Sequence, residues 1–182
     1  MNNQVIFAAA GNGKTYSLCA KAKAAISAGT KYVLLISYTN EGVRSLEKEY
    51  KKQNCGVLDE RVIFKSWYSF LLSEFIKPYQ CSLRLNNKIY KKEAPITIPE
   101  NFISSIAFYI TGSIPAWYKQ THLQYFLNSH GDIYPDRVSH LAYLCNEHSN
   151  EKPIARMEQI YSHIFIDCLL YTSDAADDLT RV

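Results

Sequence analysis

The sequence has no C-x-x-C pair; its five cysteines, Cys19, Cys55, Cys81, Cys145 and Cys168, stand apart. Without a paired framework, and with no charged-then-apolar leader that would act as a secretion signal, a reducing, cytoplasmic compartment is expected. No apolar run approaches the roughly 20 residues needed to cross a bilayer, so no membrane span is expected. Internal repeats and low-complexity segments are missing too. The net charge is only +3 over 182 residues, too small by itself to imply a nucleic-acid partner, because such binding depends on where basic residues cluster. Ser, His and Asp do not occur in a nucleophile-elbow setting, which removes covalent hydrolase chemistry. His140, Cys145 and His148 have loosely metal-like spacing but lack an evident fourth ligand, so no zinc site is expected.

What is present is an ordinary globular composition, 47% hydrophobic and 20% charged, in a chain long enough to bury one sizeable core. Val5 to Ala8 is a short apolar run leading into a glycine-bearing turn. Leu18, Ala22, Ala25 and Ile26 follow at helical spacing, with a stop at Gly29. Tyr32 to Ser37, YVLLIS, is apolar without alternation, as a parallel strand covered on both faces requires. Asn40 is expected to cap the next helix, whose inward stripe is Val43, Leu46 and Tyr50. A third strand is expected at Arg61 to Lys65, then a buried helix over Ser66 to Phe75.

Strands alternating with helices predict an α/β fold with a parallel sheet and ligands at the carboxyl ends of its strands. From about Lys77 to Asn150 the pattern changes: prolines at Pro78, Pro95 and Pro99 separate aromatic-rich segments, read as a mostly helical insertion. The regular pattern returns with a helix near Pro153 to Tyr161 and a strand at His163 to Asp167, HIFID. The expected organisation is therefore a core over 1–76, an insertion over 77–150 and a return to the core over 151–167.

The chemistry concentrates in AAAGNGKT, formed by Ala8, Ala9, Ala10, Gly11, Asn12, Gly13, Lys14 and Thr15. In the phosphate-loop pattern G-x-x-x-x-G-K-[ST], the glycines let backbone N–H groups converge on phosphate oxygens. The lysine reaches the β and γ phosphates, and the hydroxyl goes to Mg²⁺. Here Ala8 stands at the first glycine position. A carboxylate at the carboxyl end of an apolar strand is the expected second half of such a site, and Asp167 fills that role as the Mg²⁺ partner of Thr15. Lys14 and Asp167 are the expected catalytic residues, ATP and Mg²⁺ the expected cofactors.

AAAGNGKT, followed by SYTNEGVRSLEKEY (Ser37 to Tyr50), FKSWYSFLL (Phe64 to Leu72) and YSHIFID (Tyr161 to Asp167), resembles the first RecA-like domain of UvrD/Rep-type superfamily 1 DNA helicases. The resemblance covers most of Val5 to Leu72 and Arg156 to Asp167. That family commonly has alanine at the first loop position. Of its T-N-x-A-A-x-E-M motif, Thr39 and Asn40 match while Gly42, Val43, Ser45 and Leu46 depart. Of its T-F-H-S-F motif only Ser69 and Phe70 match strictly.

The resemblance implies a P-loop NTPase fold with a helical insertion, ATP-driven movement on single-stranded or partly duplex DNA, and a DNA track along Tyr38, Thr39, Asn40, Ser66, Trp67 and Tyr68. Hydroxyls and amides at strand ends position phosphates, and aromatic faces stack bases; Trp67 and Phe70 are equally suited to a plain core role. The family's adenine-reading glutamine has no counterpart at the right spacing, and where the family has glutamate after the strand aspartate this chain has Cys168.

The stretch from Cys168, CLLYTSDAADD, reads like an in-frame translation of a transposon-type sequencing adapter. The native chain is therefore expected to continue past Asp167 into a second RecA-like domain, without which the fragment should not unwind DNA. Leaving out the tail's net −2 raises the charge from +3 to +5. Arg84, Lys88, Tyr90, Lys91 and Lys92 form a basic-aromatic segment read as a solvated loop. Two alternatives stay open: another P-loop enzyme such as a kinase, and a non-catalytic nucleotide-binding module.

Overall fold

The computed structural model describes residues 13–89, 92–96, 98, 102–107 and 118–167. The strand expected at Val5 to Ala8, the loop residues Ala8 to Asn12, Tyr90, Lys91 and the tail from Cys168 lie outside the described residues.

The first described element is helix α1 (Lys14–Ser27), followed by strand β1 (Tyr32–Ser37), helix α2 (Asn40–Gln53) and strand β2 (Val62–Ser66). Next come a single turn, α3 (Trp67–Phe70), running into a π-helical stretch at Leu71–Ile76, and strands β3 (Leu85–Ile89) and β4 (Lys92–Ile96). Helices α4 (Leu123–Phe126), α5 (Val138–His148) and α6 (Lys152–Ile160) lead to strand β5 (Tyr161–Asp167). No described helix is long and apolar enough to cross a membrane.

Among the described residues, 13–66 with 163–167 form one compact unit and Trp67–Ser162 a second. The first unit is α/β: a three-stranded parallel sheet in the order β2-β1-β5, with α1 and α2 against it. Strands β1 and β2 pair from Val33↔Val62 to Ser37↔Ser66. Parallel neighbours need a crossover, and α2 supplies it between β1 and β2.

The apolar cluster of this unit joins Cys19, Ala22, Ala25 and Ile26 of α1, Leu46 and Tyr50 of α2, and Val33, Leu35 and Val62 of the sheet, with Phe64 and Phe165 packed on it. Successive side chains of a strand point to opposite faces, so Leu34 and Ile36, also fully buried, belong to the other face. That is why YVLLIS reads as an unbroken apolar run.

The cap of α2 is Thr39, one residue before the expected Asn40: its Oγ1 accepts from the Gly42 N–H at 3.0 Å. Thr39 has the extended backbone a cap needs (φ −114°, ψ 158°), whereas Asn40 has already entered the helix. Glu41 in the first turn and Lys51 and Lys52 in the last complement the helix dipole.

In the second unit, the insertion expected to be mostly helical contains an antiparallel hairpin, β3 with β4, registered from Leu85↔Ile96 to Ile89↔Lys92. Pro95 lies within β4. A two-stranded ladder has only edge strands, where a residue lacking an N–H is tolerated. The unit's fully buried side chains include Ile76, Leu83, Ile98, Ile103, Phe126, Ile133 and Leu141. Glu74, in the π-helical stretch, is only 5% exposed; it accepts from Tyr161 Oη at 3.4 Å and lies 3.5 Å from Arg156 Nη1.

Candidate functional site

Gly13 caps α1 at φ +70°, a left-handed conformation suited to glycine, and its carbonyl accepts the first helical bond from Ser17 N–H at 2.9 Å. No side chain caps this end and no acidic residue lies in the first turn. The positive end of a 14-residue helix is thus not neutralised by its own sequence, unlike the same end of α2. Lys14 and Thr15 open the helix and are partly buried.

Thr15 and Asp167 are 152 residues apart in sequence, yet Thr15 Oγ1 donates to Asp167 Oδ2 at 3.2 Å. Strand pairing carries β5 alongside β1, and Phe165 packs on the α1/α2 cluster. Two residues further on, Asp167 points to the same face and is 7% exposed. Its negative charge is felt one helical turn along α1: the Cys19 thiol is pushed up to about 12, mainly by burial, then by Glu49 and Asp167. Both members of the pair are hard oxygen donors. Mg²⁺ favours such donors, taking one or two carboxylates together with phosphate oxygens and water, so the residues fit that ion.

Each of the three strands ends in a polar residue on this same face. Ser37 follows Leu35, Ser66 follows Phe64 and Asp167 follows Phe165, with exposures of 0%, 9% and 7%. Sequence reasoning singled out Ser66 and Asp167 but not Ser37, although the shared pattern of an apolar run closed by a polar residue (YVLLIS, VIFKS, HIFID) was available to find it.

Of the residues on the expected DNA track, Tyr38, Thr39 and Asn40 form the exposed turn between β1 and α2. Ser66 closes β2 and is buried beside Ser37 in register. Trp67 and Tyr68 begin the second unit, partly exposed, with the Trp67 ring 5.7 Å from that of Phe70.

The other candidates resolve more simply. Among the described residues, no group of three or more His, Cys, Asp or Glu side chains is arranged to hold a metal; His148 Nδ1 accepts from the Arg84 N–H at 3.2 Å. The Arg84 guanidinium curls back onto the carbonyls of Cys81, Ser82 and Leu83 at 3.2–3.4 Å. Lys88 and Lys92 belong to the hairpin rather than to a loop. Compared with known proteins, the chain matches no family model, no curated protein and no solved structure.

Proposed function

We propose that this chain is the ATP- and Mg²⁺-binding part of a DNA helicase or translocase motor of the UvrD/Rep type, with a P-loop, RecA-like core. The observation that carries the reading is the 3.2 Å approach of Thr15 Oγ1 to Asp167 Oδ2, which joins the two separate sequence motifs that a nucleotide site needs. The start of α1, which has no side-chain cap and follows directly on a glycine-rich segment, adds a positive end suited to phosphate. Bound Mg²⁺ would neutralise developing phosphate charge.

In this reading the main-chain amides of Gly11 to Thr15 would receive the polyphosphate, Lys14 would contribute its ammonium, and Thr15 and Asp167 would hold the ion. Tyr38, Thr39 and Asn40, at the carboxyl edge of the same sheet, are suited to contact one DNA strand. Cys168 stands where the resembled family has its water-activating glutamate, so hydrolysis is not ascribed to this chain.

The test is binding of a fluorescent ATP analogue to the chain and to Lys14→Ala. Loss of a charged contact of about 1.5–3 kcal/mol should weaken binding roughly ten- to hundredfold. Equal binding by both proteins would remove the phosphate-loop assignment. Binding of a phosphate-acceptor substrate in place of single-stranded DNA would favour the kinase reading.

A further inference from the structure

Ser37 is 0% exposed, and its hydroxyl has no hydrogen-bond partner among the described residues. Its Oγ rests against the first turn of α2, only 2.0 Å from where a Cβ on residue 42 would stand, and glycine at that position provides the room. A buried hydroxyl left unmatched costs about 1–3 kcal/mol, so its retention calls for a physical reason. The side chain is not there to fill space, since alanine would close the same strand without the penalty.

Its neighbours give the reason. Ser37 closes the middle strand of the β2-β1-β5 sheet, between Ser66 on one side and the strand ending in Asp167 on the other. All three side chains lie on the face covered by α1 and α2 and all are buried. One Asp167 oxygen receives Thr15. A carboxylate that holds a metal is normally oriented by further hydrogen bonds behind it, and a buried water requires two to four polar partners of the kind this row provides.

We propose that Ser37 is a positioning residue for the Asp167 carboxylate: its hydroxyl holds one internal water that bridges to Asp167 and fixes the orientation in which Asp167 and Thr15 meet Mg²⁺. The inference rests on the nucleotide-site reading above and extends it to a residue outside the phosphate-loop and strand-aspartate motifs. Among the described residues Ser37 Oγ has no direct hydrogen-bond partner, so the link to Asp167 is assigned to a water. Ser37 touches neither nucleotide nor metal in this scheme and acts only through Asp167.

The experiment compares fluorescent ATP-analogue binding with Mg²⁺ titrated in and with EDTA present, for the wild-type chain, Ser37→Ala and Ser37→Cys, alongside thermal unfolding of each. The expected result is a loss of roughly 10- to 100-fold in apparent Mg²⁺ affinity for Ser37→Ala, with metal-free nucleotide binding and the unfolding temperature held. Ser37→Cys, close in size but a weak hydrogen-bonding group, should fall in the same direction and covers the case in which the alanine variant does not fold. Wild-type Mg²⁺ dependence in either folded variant overturns the role of Ser37 while leaving the nucleotide site standing. A wild-type chain that binds the analogue without any Mg²⁺ dependence overturns the metal assignment and this inference together, and one that binds no analogue overturns the underlying function.

Discussion

Gly42 and Ser37 occupy one shared space: a Cβ added to Gly42 would fall 2.0 Å from Ser37 Oγ and 2.9 Å from Ser37 Cβ. The contact joins the first turn of α2 to the end of β1; the Ser37 hydroxyl can rotate away, but its Cβ at 2.9 Å is fixed by the backbone. Gly42→Ala should therefore destabilise the chain by about 1–3 kcal/mol, the usual cost of overpacking, despite the better helix propensity of alanine. Urea unfolding measures it. The same change in a Ser37→Ala background should cost less, since the closer of the two clashes is gone; equal losses in both backgrounds would contradict the geometry.

Thr15 and Asp167 should behave as a coupled pair in nucleotide binding. Thr15→Ala and Asp167→Asn should each weaken the Mg²⁺-dependent part of the affinity. The double variant should fall short of the sum by about 0.5–3 kcal/mol, the range for residues in direct contact. Titrating a fluorescent nucleotide against all four proteins with Mg²⁺ present gives the coupling energy. Strict additivity would mean that the two side chains do not meet at a common ligand.

Alkaline pH should destabilise the chain while leaving its stability at neutrality unchanged. The thiols of Cys19 and Cys145 are raised from 9.0 to about 12 and the Tyr161 phenol from 10.0 to about 12, each chiefly by burial. A neutral acid favoured by the fold contributes stability that is complete below its unfolded pKa and is lost as pH climbs through the folded value. The predicted window is pH 9 to 12, read as a falling unfolding midpoint in a pH series, with a flat profile between 7 and 9 from these groups.

Thiol labelling should divide the described cysteines in the same way. Cys55 and Cys81 are exposed, and Cys19 and Cys145 buried. Only a thiolate reacts, so at pH 8 a maleimide should modify the first pair quickly and the second only after unfolding. Peptide mass mapping distinguishes the sites, and early modification of Cys19 would place the α1/α2 cluster in doubt.

Glu74 should matter for stability in the second unit. Replacing it by alanine leaves the buried Tyr161 hydroxyl without the carboxylate that receives it, a loss of about 1–3 kcal/mol. Glu74→Gln keeps an acceptor and should cost less. Thermal unfolding of the two variants in parallel makes the comparison.

Much of the first unit was legible from the residues. YVLLIS, the Leu18 to Ile26 spacing and HIFID each carry a local signal, apolar continuity or a 3.6-residue period, and each forms its element close to the expected bounds. The three polar strand ends were legible in the same way, but Ser37 was passed over because only its unmatched hydroxyl, a fact of packing, distinguishes it from a strand-end turn residue. The second unit was harder to read. Its β3–β4 pairing joins Asn86 to Pro95, a combination with poor strand propensity that pairing across the hairpin overrides. The π-helical run at Leu71–Ile76 differs from an α-helix by one residue in its hydrogen-bond step, too little over six residues for an apolar pattern to register.

Strand β5 has a practical consequence of its own. Among the described residues it lies at the border of its sheet, and Ile164 and Ile166 are 39% and 50% exposed. Two exposed apolar side chains on one strand face favour association between chains. Purified at high concentration, this protein should therefore show self-association that grows with concentration and recedes when lysine replaces Ile166.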